Sequence, residues 1–221
     1  MHLNLLGPLY DSASKKRDDE ITLKIKGFLR GEKTILDVGC GTGRLSKKIQ
    51  DYFGVSVQGV DVVLPETELI PVRIFDGKEL PFADNSFDSV FLIDVLHHTK
   101  NSSALFSEAF RVAKYSVLIK DHYYENRFGK MLLKLVDVLG NFRDKVKTPF
   151  YFKSRSEWEE FLAEHEHYSI EWRSPFVSKI RIPQVMFYVV KNRKLGKNMK
   201  LGKDGELGMS RKLGKNRKLG K

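Results

Sequence analysis

"TILDVGCGTGRL", Thr34 to Leu45, is an apolar run that ends in an acid and then meets three glycines at alternate positions, Gly39, Gly41 and Gly43. A short apolar stretch bounded by glycine reads as a buried strand. The segment after it, "RLSKKIQDYF" (44–53), places Leu45, Ile49, Tyr52 and Phe53 at helical spacing. Strand, glycine loop and helix together make a ready site for a phosphate or a nucleotide. The loop lacks the Gly-Lys-Ser/Thr ending of a phosphate loop. It also breaks the G-x-G-x-x-G spacing, because the residue three after Gly41 is Arg44. Taken alone, the loop leaves its ligand open.

The flanking sequence repeats the same alternation. Strands are expected at 55–63, 71–76, 87–96 and 115–124, and a helix at 102–114, capped near Asn101 or Ser102. Such alternation implies a parallel sheet covered on both faces. Upstream, "DDEITLKIKGFLR" (18–30) reads as an amphipathic helix with acids at its start and a stop at Gly31. Downstream, "FGKMLLKLVDVLG" (128–140) is a strongly apolar helix and 154–167 a helix capped by Ser154 or Ser156. Strands at 168–174 and 184–191 close the body.

Four acids fall at or near expected strand ends: Asp37, Asp61 in "GVDVV", Asp76, and Asp94 in "FLIDVLHH". Open α/β sheets bind ligands at that edge. A carboxylate at the end of the second strand suits a ribose, since it accepts from both hydroxyls. The acidic rim repels a pyrophosphate and favours a cationic cofactor.

With "ILDVGCGTG" followed by "FDGKELPFADNSFD", residues Thr34 to Lys120 resemble the class I S-adenosylmethionine-dependent methyltransferases, in the subgroup with a D-x-x-x-LPF-x-D-x-SFD segment before the fourth strand. The resemblance implies an α/β Rossmann-like, doubly wound, seven-stranded sheet. It would be mostly parallel with an antiparallel C-terminal strand, with helices on both faces. It implies S-adenosyl-L-methionine as cofactor, with Gly39, Cys40, Gly41 and Gly43 against its methionine half. Asp37 would reach the amino group, Asp61 with Val62 the ribose, Asp76 with Gly77 the adenine, and Asp94 would flank the methyl-transfer side. Two departures are visible. The family's K-P-G-G turn before the fifth strand is replaced by "RVAKYSVLIK", which implies a tighter turn. No N-P-P-Y or D-P-P-Y follows the fourth strand, which counts against amino methylation of adenine or glutamine by that route.

The implied chemistry is attack by a substrate nucleophile on an already activated methyl, so alignment and exclusion of water are the protein's main contributions. An oxygen or nitrogen nucleophile can also need a base. The candidates are His97 and His98, with Asp94, near the end of the fourth strand, and Asp121, His122 and Tyr123 near the end of the fifth. Tyr124 adjoins them. A packing role for the histidines and a solvated loop at "KDHYY" stand as the plainer readings. A nucleophilic role for Cys40 is not expected, because no basic partner adjoins it in sequence. The segment 125–167 is expected to be a helical insertion, either sheet cover or a lid that shapes an apolar acceptor pocket.

The 221 residues carry a net charge of +11, unevenly placed. Residues 191–221 hold 12 Lys and Arg against 2 acids, and the preceding residues hold 27 against 26. The division expected is an N-terminal helical segment (1–33), a methyltransferase domain (34–190) and this tail. In the tail Leu-Gly recurs every six residues, which fits disorder better than a β-helix. The leading reading is a methyltransferase with a small-molecule acceptor. The alternatives are an RNA- or ribosome-associated methyltransferase anchored by the tail, through weak nucleic-acid contact, and a non-catalytic cofactor-binding scaffold. One cysteine, Cys40, allows no internal disulfide and no Cys-based zinc cluster, and no metal is expected. No apolar run approaches the roughly 20 residues of a membrane span. The start shows no basic and apolar leader pattern, so a cytoplasmic location is expected. Oligomeric state is open.

Overall fold

β1 (Thr34–Val38) lies inside a sheet, with β2 (Ser56–Asp61) and β3 (Val72–Ile74) on one side and β4 (Phe87–Ile93) and β5 (Ala113–Tyr124) on the other, all parallel. β8 (Pro183–Val190) runs antiparallel to β5, and β7 (Ser169–Val177) antiparallel to β8. The order β3-β2-β1-β4-β5-β8-β7 is the mostly parallel seven-strand sheet that the sequence implies. A two-residue β6 (Lys153–Ser154) pairs with the end of β5 outside that path. The computed structural model describes residues 7–29, 31–141, 149–165, 169–177 and 182–191. The expected disorder of the tail falls on residues outside the described ones.

The strands are buried on both faces, which is why they read as continuous apolar runs. Leu36, Val38, Val90, Leu92, Val117 and Ile119 point into one layer. There α3 (Ser102–Val112) and α5 (Arg155–Ala163) supply Phe106, Ala109, Trp158 and Phe161. Ile35, Val57, Phe91, Ile93 and Leu118 alternate with them into the other layer, covered by Ile21 and Ile25 of α1 (Gly7–Ile25) and Ile49 of α2 (Arg44–Phe53). Helices on both faces make the sheet doubly wound. The direction of winding reverses between β1 and β4, so a cleft opens beyond their carboxyl ends.

Several boundaries differ from expectation. α1 begins 11 residues earlier than the expected 18–30 helix, with Pro8 in its first turn, where a missing N–H costs little, and it ends at Ile25. Its acids are therefore mid-helix, and they pair across to α2: Asp18 with Arg44 at 2.8 Å and Asp19 with Lys48. β4 stops at Ile93, because Asp94 takes a positive φ of 55°. His97 and His98 then sit in a short 3-10 turn, Leu96–His98. α3 runs into β5 with no residue between them, the tighter turn expected from "RVAKYSVLIK".

The expected 125–167 insertion divides in two. α5, opened by a capping box between Ser154 and Glu157, buries Trp158, Phe161 and Leu162 in the core and is sheet cover. α4 (Arg127–Asn141) buries Leu133 in a small satellite cluster with Phe152 and Ile182.

Candidate functional site

The glycine loop is laid across the end of β2. Gly39 and Cys40 both donate to the Val60 carbonyl, at 2.8 and 3.3 Å. Gly39 has φ +72°, and a Cβ there would lie 2.5 Å from Val95 Cγ2, so neither its conformation nor its surroundings admit a side chain. Gly41 is different, since a Cβ on it would meet nothing within 4 Å. Its bare edge faces open space, and its N–H donates to Asp61 Oδ2 at 2.7 Å. Asp61 Oδ1 accepts from the Val62 N–H at 2.7 Å.

Asp37 sits behind the loop, 5% exposed, and accepts the Ser46 hydroxyl. Burial above all, and the nearby Asp61 charge, push its pKa up to about 7, against the pull of Ser46 and Arg17. Cys40 is a packing residue. Its Sγ lies 2.3 Å from where a Cβ on Gly59 would stand, and burial first, then Asp37 and Asp61, push its thiol pKa up. Asp76 Oδ1 accepts from the Lys78 and Glu79 N–H groups at 2.8 and 2.9 Å, and these bonds hold its pKa below the usual range. Val62, exposed, lies 3.3 Å from the Cβ position of Gly77, so the residues following Asp61 and Asp76 lie close together.

Asp94 is fully engaged. Lys120 Nζ reaches its two oxygens at 2.6 and 2.7 Å, Arg17 from α1 bonds Oδ2, and His122 Nδ1 lies 3.3 Å from Oδ1. Burial alone would raise its pKa, but Lys120, then His122 and Arg17, hold it well below the carboxylate range.

The other catalytic candidates separate by burial. Tyr123 is 5% exposed, and its side chain packs in the core cluster. His97 Nδ1 lies 2.5 Å from Asp121 Oδ1, and its Nε2 lies 3.4 Å from Asp137 Oδ1 on α4. Its ring stacks on Phe152 at 4.5 Å. Burial opposes the charge, but Asp121 and then Asp137 outweigh it and raise the His97 pKa to about 10. Asp121 is buried too, and His97 holds its pKa low. His97 and Asp121 thus form a buried ion pair and not a free base. His98 and His122 remain as neutral imidazoles. Burial and the His97 charge lower the pKa of His98, and burial and Lys120 push that of His122 to about 4. His97, Asp121 and His122 bring possible metal-ligand atoms within 4.8 Å of one another, as do His97, His98 and Asp137. In both groups His97 is already paired with a carboxylate, Asp121 at 2.5 Å and Asp137 at 3.4 Å.

Because the folded pKa of His97 lies above its unfolded value, its contribution to stability is full below about pH 6.5 and is lost as pH rises through about 10. Across that window unfolding free energy should fall at up to about 1.4 kcal/mol per pH unit from this group. The buried Lys120, whose pKa is lowered, works in the opposite direction. Denaturant unfolding of the wild type and His97→Gln from pH 7 to pH 10 isolates the term. The difference between them should narrow with pH, and a constant difference would refute the ion pair.

Sequence reasoning missed Arg17, Ser46, Lys120 and Asp137. Lys120 carried a signal, being a charge within an apolar strand, which is seldom buried without a partner. Asp137, the one acid of a strongly apolar helix, carried a similar one. Arg17 carried none once the helix was started at residue 18.

Residues 36–118 match the family model for a methyltransferase domain. The chain is similar to an uncharacterized protein of Methanocaldococcus jannaschii, 32% identical over 138 residues, which are 58% of this chain and 62% of that one. It is also similar to the sarcosine/dimethylglycine N-methyltransferase of Aphanothece halophytica, 32% identical over 120 residues, 48% of this chain and 43% of that one. In both cases the match spans less than two thirds of the relative's length. The fold is similar to that of magnesium protoporphyrin IX methyltransferase from Synechocystis PCC 6803 with bound SAH, at a TM-score of 0.55 and 20% identity over 81% of this chain and 84% of that one.

Proposed function

We propose that this chain, whose residues 36–118 match the model for a methyltransferase domain, is a class I S-adenosylmethionine-dependent methyltransferase that methylates a small-molecule acceptor and holds its cofactor over Gly41, between Asp37 and Asp61. The observation that carries this reading is the bare, open edge of Gly41 flanked by two carboxylates, one kept near neutrality by burial. A buried acid in that state lacks a cation. The ammonium of S-adenosylmethionine is such a cation, whereas a pyrophosphate would meet two acids. The relative that acts on sarcosine and dimethylglycine supports a small acceptor.

When bound, the cofactor would supply a sulfonium methyl that a nucleophile attacks in line, the C–S bond breaking so that the neutral thioether S-adenosylhomocysteine leaves. The chain's own residues do the rest. Asp37 takes the ammonium, directly or through water. Asp61 accepts from the ribose hydroxyls while keeping the loop in place through Gly41. Val62 and Gly77 form the adenine wall, and Asp76 accepts from its amine. Gly39, Cys40 and Gly43 keep the backbone low enough for this approach. Asp94 anchors Arg17 and Lys120 at the methyl side and so closes that edge to water. His122, neutral and beside Asp94, is the group placed to accept a proton from the acceptor, with His98 as the neighbouring imidazole.

Calorimetry with S-adenosylmethionine tests the reading. If ammonium binding needs ionised Asp37, the dissociation constant should rise about 10-fold from pH 8 to pH 6, with proton release at pH 6. Asp37→Asn should bind more weakly at pH 8 and lose the pH dependence. Absence of binding at millimolar cofactor would sink the reading, and a flat pH profile would remove Asp37 from it.

A further inference from the structure

α4 presents its apolar side outward. Phe128, Met131, Leu132, Leu135, Val136 and Val138 are between 37% and 69% exposed, while Leu133 turns inward. At 100° per residue the six fall in one arc of about 160°. The margin of the arc is basic, with Arg127 and Lys134 beside it and Lys130 further round, over the Tyr124 ring at 4.8 Å. The helix's one acid, Asp137, is turned away towards His97 and His98, at 3.4 and 3.8 Å. The outward surface therefore combines a wide apolar arc with cations and no carboxylate.

We propose that α4 docks this protein on the surface of an anionic lipid bilayer, with the apolar arc in the boundary between headgroups and acyl chains and Arg127 and Lys134 at the phosphates. An apolar face with a basic margin is what an interfacial helix presents. At 15 residues α4 is about 22 Å long, and among the described residues no helix is long and apolar enough to cross a membrane. The helix lies on a bilayer and does not span it. Charge complementarity selects this occupant over a second copy of the chain, which would bring the same cations face to face. Residues 191–221, with 12 basic residues against 2 acids, add to the attraction. Lys191, where they begin, bonds Tyr115 at the opposite end of β5 from α4. The 30 residues beyond it reach about 100 Å when extended, ample for the same surface. The docking holds whatever the methyl acceptor is, and its test does not depend on turnover.

Flotation of the full chain with phosphatidylcholine vesicles, with and without one quarter phosphatidylglycerol, reads the proposal directly. Binding should be at least 10-fold stronger to the anionic vesicles. Met131→Glu/Leu135→Glu should lose most of it with an unchanged melting temperature, since both side chains are exposed. A Phe128→Trp variant should be quenched by brominated acyl chains, a readout that needs no destabilising change. Three results would overturn the proposal: no binding to anionic vesicles at low salt, equal binding by the double glutamate variant, or a dimer by light scattering that the same variant dissociates. Equal binding by that variant would leave the tail as a non-specific polyanion binder, RNA included.

Discussion

Replacing Asp61 with alanine should weaken S-adenosylmethionine binding about 100-fold or more, measured by calorimetry at pH 8. The carboxylate does two things. It fixes the loop through the Gly41 and Val62 N–H groups at 2.7 Å each, and on the proposed reading it accepts from both ribose hydroxyls. Each bond to a charged acceptor contributes about 1.5–3 kcal/mol, so losing two removes about 3 kcal/mol at the low end, or a factor of more than 100. Folding should suffer much less, by about 1 kcal/mol, because the site is open to water, which can solvate the freed N–H groups. Asp61→Asn separates the two roles. It keeps an oxygen for the loop but offers the ribose an uncharged partner, so a loss of about 10-fold is expected. A change under 3-fold in the alanine variant would place the ribose elsewhere.

The residues proposed to hold the cofactor were legible as a group because their determinants are local. Gly39, Gly41 and Gly43 follow an apolar run within six residues, and Asp61 ends the next strand. Parallel strands bring such ends to one edge, so strand position alone puts the acids together. The residues proposed for the acceptor side were not legible in the same way. "LHH" and "KDHYY" offered the right residue types, but what they do depends on partners far along the chain: Asp121 is 24 residues from His97, and Asp137 is 40. The register Ile93 to Lys120 sets the end of β4 beside Lys120, so the residues after β4 lie along the last residues of β5, Asp121 among them. His97 and Asp121 therefore neutralise each other instead of remaining available for catalysis. α1 escaped detection in its first half because its sequence shows no apolar stripe at helical spacing before Ile21 to mark it.

Lys120→Met should lower the unfolding free energy by about 3–5 kcal/mol, a fall in melting temperature of about 6–20 °C. Lys120 is fully buried and its ammonium reaches both Asp94 oxygens. Burial lowers its pKa, so it is held as a cation mainly by Asp94, whose own carboxylate depends on it. Methionine fills a similar volume, so the loss reads the stranded anion and not a cavity. Arg17 remains on Asp94 and should keep the loss towards the lower end of the range. The partners are not symmetric. Asp94→Asn alone should cost less, because Lys120 can shed its proton, and asparagine tolerates the φ of 55° at that position. The double variant Lys120→Met/Asp94→Asn should recover more than half of the loss of Lys120→Met, since no lone charge stays buried. A single-variant cost under 1 kcal/mol, or a double variant no more stable than Lys120→Met, would mean that water or Arg17 already carries the charge of Asp94. If water carries it, the proposed methyl side of the cleft would be open to solvent and could not exclude water.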